Sequence, residues 1–190
     1  MSLERRAAMA ALVANRGDLL VVPGLGSTTW DLAAAGDDPR NFYLWGAMGG
    51  AAMIGLGLAL AQPDKRVAVV TGDGEMLMGL GSLATIGVKR PGNLAVIVFD
   101  NGVYGETGMQ PSHTQGGVDL MAVASACGFV DACDVRDDVG LEDLAGRLKT
   151  FTEPLFARVR IVADDPPRVL PLRDGVELKN RFRAALGVEA

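Results

Sequence analysis

The sequence predicts a doubly wound α/β domain: a mainly parallel sheet with helices on both faces, and a C-terminal arm. Three observations carry that prediction. The runs "RVAVVTG" (66–72) and "NLAVIVFDN" (93–101) are apolar without polar alternation, as strands buried on both faces are. Segments of helical character separate such runs, which is the βαβ rhythm of parallel sheets. Four predicted strand ends lead into Gly-rich clusters of the kind that turn a strand into a helix.

Taken in order, residues 3–15 read as a helix and "DLLVV" (18–22) as the first strand. In "PGLGSTTWDLAAAG", Ser27 or Thr28 can cap a helix running to Ala35. "NFYLW" (41–45) reads as a second strand, followed by a Gly/Ala-rich helix within "WGAMGGAAMIGLGLALA" (45–61). The third strand, 66–72, precedes a helix at "MGLGSLATIGVKR" (78–90), and the fourth is 93–101. Beyond a Gly-rich loop come a helix at "DLMAVASACG", a strand at "FVDACDV", a helix at "LEDLAGRLKT" and a last strand at "FARVRIVA". Residues 1–165 then form the domain, and 166–190 a Pro-rich arm ending in the basic helical stretch "GVELKNRFRAAL".

Composition narrows the function. The 190 residues suffice for one well-filled core but not for two ordinary enzyme domains. Glycine, at 25 residues, is about twice as frequent as the usual ≈ 7%, which signals tight turns or close approach of backbone to a ligand. Net charge is −5, pI is near 4.9 and aromatics make up 5%, so neither the cationic footprint nor the stacking platforms of a nucleic-acid binder are present. The 45–61 stretch approaches the length of a membrane span, but its Gly and Ala content and the Gln62-Pro63-Asp64 that follows favour a buried helix. MSLERRAAMA lacks the apolar region of a secretory signal. Cys127 and Cys133, spaced C-x5-C without a nearby His, fit neither a disulfide scaffold nor a zinc site and read as buried reduced thiols. A cytoplasmic location is expected.

The strand-end clusters are Gly24-Leu25-Gly26-Ser27, Gly46-Ala47-Met48-Gly49, Gly72-Asp73-Gly74-Glu75 and Asp100-Asn101-Gly102. Each can present backbone N–H groups to an anion at a helix start. No G-x-x-x-x-G-K-[ST] run exists, and both Gly-x-Gly turns lack the third glycine of a dinucleotide site. Asp73 stands where a phosphate would dock and would repel it, unless a divalent cation lies between them. Mg2+ takes hard oxygen ligands and bridges protein groups to phosphates. Asp73 offers a charged oxygen, Asn101 a neutral one, and a carbonyl just beyond Asn101 a third. Singly, Asp73 is as readily a helix cap and Asn101 a turn residue.

A GDG followed by 25 residues and a pair ending in Asn resembles the signature of thiamine diphosphate enzymes, with Asp100-Asn101 where the pair is most often Asn-Asn. The resemblance extends over nearly the whole chain, to the domain that binds the cofactor's diphosphate. It is closest to the sulfopyruvate and phosphonopyruvate decarboxylase group, through "FYLWGAMGGAAMIGLGLALAQPDKRVAVVTGDGEMLMGLGSLATIG", "DNGVYGETGMQPSHT" and "LRDGVELKNRFRAAL". Ala68 departs from the larger apolar residue usual there. The resemblance implies a thiamin diphosphate-binding fold, with Mg2+ on Asp73, Asn101 and the carbonyl of Val103. It implies diphosphate held by Gly72, Gly74, Glu75, the N–H of Tyr104, and Gly26-Ser27. Ala47 and Met48 would lie against the cofactor, Met48 as the wedge that bends it, with the Gly46 carbonyl accepting from its amino group.

The implied reaction is decarboxylation of a small 2-oxoacid, such as 3-sulfopyruvate or phosphonopyruvate, to an aldehyde and CO2. A carboxylate on the pyrimidine nitrogen is also required, and the chain has no room for the domain that carries it. The resemblance therefore implies a PYR-type alpha subunit supplying that glutamate, in a dimer of heterodimers. Another thiamine diphosphate reaction, carboligation or oxidative decarboxylation, and a non-catalytic scaffolding subunit stand as alternatives. In "GETGMQPSHTQGG", Glu106, Thr107 and Gln110 face substrate only if the loop folds over the site. His113, the single histidine, is either a substrate or proton-transfer group or a solvated loop residue. Lys179, Arg181 and Arg183 read as a solvated face or as a basic arm attracting an acidic partner. No cationic partner for an acidic substrate head can be located from sequence; Lys89 and Arg90 sit at a helix end of unassigned position.

Overall fold

A computed structural model describes residues 2–188. In chain order the elements begin with α1 (Arg5–Val13), β1 (Leu20–Pro23), α2 (Ser27–Ala34), α3 (Ala51–Ala61) and β2 (Val67–Gly72). Then follow α4 (Asp73–Met78), α5 (Gly81–Lys89), β3 (Leu94–Asp100), β4 (Val103–Tyr104), β5 (Gln110–Pro111) and α6 (Leu120–Ala126). The last are β6 (Asp131–Val135), α7 (Asp138–Arg147), β7 (Leu155–Arg160) and α8 (Gly175–Ala185). The main sheet is five-stranded in the order β1-β2-β3-β7-β6 and every pairing in it is parallel, while β4 and β5 form a separate antiparallel ribbon.

Residue alternation explains how the sheet is covered on both sides. Ala68, Val70, Ala95, Ile97, Ala157 and Val159 face a layer made by α1, α2 and α7 through Met9, Leu12, Leu32, Leu141 and Leu144. Val67, Val69, Val96, Val98 and Phe156 face the opposite layer through Leu56 of α3, Leu83 and Ile86 of α5, and Leu120 of α6. A Cβ on Gly55 would lie 2.2 Å from Cγ2 of Val69, so only glycine lets α3 sit this close to β2. Asp119, Asp137 and Asp174 cap α6, α7 and α8 by accepting from first-turn N–H groups.

Several sequence expectations change. The strand expected at 41–45 reduces to one parallel bridge, Val21↔Asn41. Beyond Phe42 the chain peels away, with Asn41 donating to the Tyr43 hydroxyl and that hydroxyl donating to Asp37, which spends local polar groups on each other rather than on a ladder. The Gly/Ala helix begins at Ala51, not at Trp45, and it is buried on one side only: Met53 and Leu60 are exposed. The N-cap of α2 is Gly26, not Ser27 or Thr28; the Thr28 and Thr29 hydroxyls instead donate back to the Gly24 carbonyl, at 3.0 and 2.8 Å. Cys127 and Cys133 are free, as read, but half-buried. Among the described residues no helix is long and apolar enough to cross a membrane.

The arm lies along the carboxyl-edge loops. Trp45 Nε1 donates to the Leu172 carbonyl, Arg173 stacks over Trp45 and Arg168 over Trp30, and Phe182 packs against Phe42. Arg181 pairs with Asp37, which removes it from the solvated face expected for it. Lys89 and Arg90 sit with Lys65, Arg66 and Asn93 where β2 and β3 begin, at the sheet edge opposite the clusters described next.

Candidate active site

A cleft opens at the carboxyl ends of β1, β2 and β3, where ligands sit in sheets of this kind. Its wall combines Ser27 and Thr28 at the start of α2, the run Gly72 to Glu75, Asn101, Val103 and Tyr104, and Met48 from the loop before α3. Phe99 and Ile161 add apolar surface, and Glu106 and Thr107 rim the mouth. The two strand ends that motivated the clamp, Gly72-Asp73-Gly74 and Asp100-Asn101, are therefore brought together. β2 and β3 are adjacent and in register, with Gly72 opposite Phe99.

Asp73 is buried at the first position of α4. Its Oδ2 accepts from the hydroxyls of Ser112 at 2.5 Å and Thr114 at 3.1 Å. Burial pushes its carboxyl above the usual range, the Ser112 bond opposes the rise, and the neighbouring Asp100 charge adds to it. Asn101 is half-buried, and its Oδ1 accepts from the Val103 N–H at 3.0 Å, an Asx turn that fixes the carboxamide and leaves that oxygen a second lone pair. Asp100 Oδ1 accepts from the Gly102 N–H at 3.1 Å and shares the single Thr114 hydroxyl proton, at 2.9 Å, with Asp73, while Oδ2 lies 3.9 Å from Arg160 Nη1. Ser112 and Thr114 thus tie the β5 end to both acidic strand ends, a role sequence reading missed; their place in "PSHT", after a ribbon that returns to the strand ends, is the only signal.

Glu75, read as a backbone ligand, has a buried side chain with its own task. Oε2 accepts from Thr71 at 2.8 Å and Oε1 from the Gly49 N–H at 3.2 Å. Burial raises this carboxyl, and those bonds oppose the rise. A Cβ on Gly79 would lie 2.1 Å from the Gly49 carbonyl oxygen, so the 46–50 loop is also pressed onto the end of α4.

Not every predicted residue lines this cleft. Gly26, at φ 84, lines an adjoining hollow with Leu25, Trp30 and Trp45, and Met48 and Glu106 border both spaces. Gly46 and Ala47 lie in the exposed loop and outside both linings. His113 is exposed outside the cleft, its Nδ1 2.7 Å from the Tyr104 hydroxyl. Thr107 and Gln110 bond to each other at the ribbon's tip, and Glu106 is ion-paired with Arg168 of the arm at 3.7 Å. Among the described residues no three His, Cys, Asp or Glu side chains cluster as a metal site.

Residues 24–159, which include every strand end of the cleft, match the family described as the thiamine pyrophosphate enzyme, C-terminal TPP binding domain. The chain belongs to the thiamine pyrophosphate enzymes. It is 40% identical to the sulfopyruvate decarboxylase subunit beta of Methanothermobacter thermautotrophicus, over 96% of this chain and 95% of that one. With the corresponding subunit of Methanococcus maripaludis it shares 34% identity over 98% of this chain and 99% of that one. It is 43% identical to the phosphonopyruvate decarboxylase of Streptomyces viridochromogenes over 95% of this chain, but spans only 45% of that protein. In fold it is similar to a structure from Mycobacterium smegmatis described as thiamin diphosphate-dependent, with TM-score 0.73 and 21% identity over 85% of this chain and 32% of that one.

Proposed function

We propose that this thiamine pyrophosphate-binding chain is the beta-type subunit of a decarboxylase acting on a small 2-oxoacid, such as 3-sulfopyruvate or phosphonopyruvate, to give an aldehyde and CO2. The observation that carries the reading is the match to sulfopyruvate decarboxylase beta subunits along nearly the full length of both chains. The donor chemistry of the cleft fits a metal-bound diphosphate. One buried carboxylate and one carboxamide are hard oxygen donors, and the position a side chain would take on Gly72 is open space. Burial leaves Asp73 poorly disposed to carry charge alone, and a divalent cation beside it reverses that.

In this reading Asp73, Asn101 and the Val103 carbonyl hold Mg2+. The backbone of Gly72, Gly74 and Glu75, the Tyr104 N–H and Gly26-Ser27 hold the diphosphate. Met48, between cleft and adjoining hollow, supports the bend of the cofactor. Ala47 and the Gly46 carbonyl meet its aminopyrimidine at the face shared with the partner. Bound thiamine diphosphate supplies the electron sink that lets CO2 leave a 2-oxoacid. Glu106 and Thr107, at the mouth, orient substrate, and the Tyr104–His113 pair at the loop surface carries protons to and from it. The glutamate for the pyrimidine nitrogen comes from a PYR-type alpha subunit, in a dimer of heterodimers. Free Cys127 and Cys133 suit the reducing cytoplasm.

The test is turnover by the chain together with the subunit it co-purifies with, supplied with thiamine diphosphate and Mg2+. Release of CO2 and sulfoacetaldehyde from sulfopyruvate, or of phosphonoacetaldehyde from phosphonopyruvate, is the expected result. A carbon–carbon bonded product, reduction of an added electron acceptor, or silence from the complete complex would overturn it.

A further inference from the structure

Arg5 is the one cationic side chain lining the cleft among the described residues, against the carboxylates of Asp31, Asp73, Glu75 and Glu106. It opens α1 and is only 2% exposed. Its Nε lies 3.1 Å from Asp31 Oδ2 and 3.4 Å from Asp164 Oδ1. Neither approach has hydrogen-bond geometry, and Nε and Nη2 are buried without a hydrogen-bond partner. Arg6 meanwhile donates to Asp31 Oδ1 at 3.2 Å. The two carboxylates compensate the charge of Arg5 at Nε while leaving Nη2 without an acceptor among the described residues.

Buried guanidinium donors are almost always paired, because taking them out of water without an acceptor is costly. The planar fork of arginine matches the oxygens of a phosphate-type anion. Arg5 shares its wall with Ser27 and Thr28 at the start of α2 and with Asp73 and Gly74. Depth identifies the ligand. Glu106 and Thr107 at the rim are exposed, whereas Arg5 is buried, which suits a group seated before substrate arrives. We propose that Arg5 donates to the terminal phosphate oxygens of the cofactor's diphosphate, with Asp31 and Asp164 holding the guanidinium in place. The assignment rests on the reading that this cleft takes thiamine diphosphate.

The test is calorimetric titration of the co-purified complex, with wild type, Arg5→Met and Arg5→Lys. The probes are thiamine diphosphate, thiamine monophosphate and, on the cofactor-loaded protein, 3-sulfopropanoate, all with Mg2+. Arg5→Met is expected to weaken thiamine diphosphate binding about 10- to 100-fold, the range for a hydrogen bond to a charged group, and monophosphate binding far less. Arg5→Lys keeps the charge without the fork and falls between; it carries the measurement if circular dichroism shows Arg5→Met unfolded. Equal losses for both thiamine phosphates, no loss for either, or a loss confined to the sulfonate would each overturn the assignment. If wild type binds no thiamine diphosphate, the cofactor reading itself fails, a result distinct from failure of the Arg5 variants alone.

Discussion

Glu75 accepts hydrogen bonds from two separate parts of the chain, the end of β2 and the loop before α3, and its Oε2 also packs against Gly24 of the loop after β1, where a Cβ would lie 1.7 Å away. Its side chain orders the loops whose backbones face the cleft. Glu75→Gln removes the charge and turns one of these acceptor oxygens into a donor, which weakens the ties to Thr71 and Gly49. A loss of about 1–3 kcal/mol is expected in denaturant unfolding; an unchanged midpoint would contradict the role. Sequence reading could place Asp73 and Asn101 at one sheet edge, where the structure brings them into one cleft with Val103, because spacing in a strand-helix-strand unit is a one-dimensional signal. It missed the side-chain task of Glu75, and Ser112 and Thr114 beneath Asp73, because those contacts join segments far apart in sequence.

At the scale of elements, the central strands were legible because unbroken apolar runs mean cover on both faces: 67–72 and 94–100 fall within predicted strands, as does the half-buried 131–135, while 155–160 begins one residue before the strand predicted from Phe156. The 41–45 segment misled because Phe42, Tyr43 and Leu44 are apolar for a different purpose, packing beside β1 without a ladder. The glycine contact between α4 and the 46–50 loop gives an element-level prediction. Gly79→Ala forces a Cβ into the Gly49 carbonyl and should cost about 1–3 kcal/mol, read as a lowered unfolding midpoint. A second concerns the β6–β7 pair, where Asp134 accepts from Arg158 at 2.9 and 3.0 Å, Arg160 at 3.1 Å and Arg136 at 2.6 and 2.9 Å. Burial pushes its carboxyl up, but the three guanidiniums outweigh burial and hold it well below the usual range. A depressed pKa means stability present at neutral pH and lost as pH falls below about 4, the unfolded carboxylate value. Asp134→Asn should therefore cost about 2 kcal/mol at pH 7, a buried-pair value discounted for partial exposure, and the gap to wild type should narrow below pH 4. A gap independent of pH would contradict it.

For the whole molecule, parallel topology gathers the strand ends at one edge, so an acidic chain concentrates carboxylates where a polyanion is to bind. The proposed reading resolves that conflict with cations in the cleft, a metal held by Asp73 and Asn101 and the guanidinium of Arg5. Trp45 and Met48 beside the cleft, and Met53, Leu60 and Met78 on α3 and α4, are exposed apolar surface of the kind a partner subunit covers. The most direct measurement is calorimetric titration of the co-purified complex with thiamine diphosphate, with and without Mg2+, for wild type and Asp73→Asn. Binding that requires the metal in wild type and falls at least about 100-fold in the variant, the loss expected when a charged ligand to a bridging metal is removed, is the predicted result. Equal affinity in both proteins, or binding indifferent to Mg2+, would contradict the clamp.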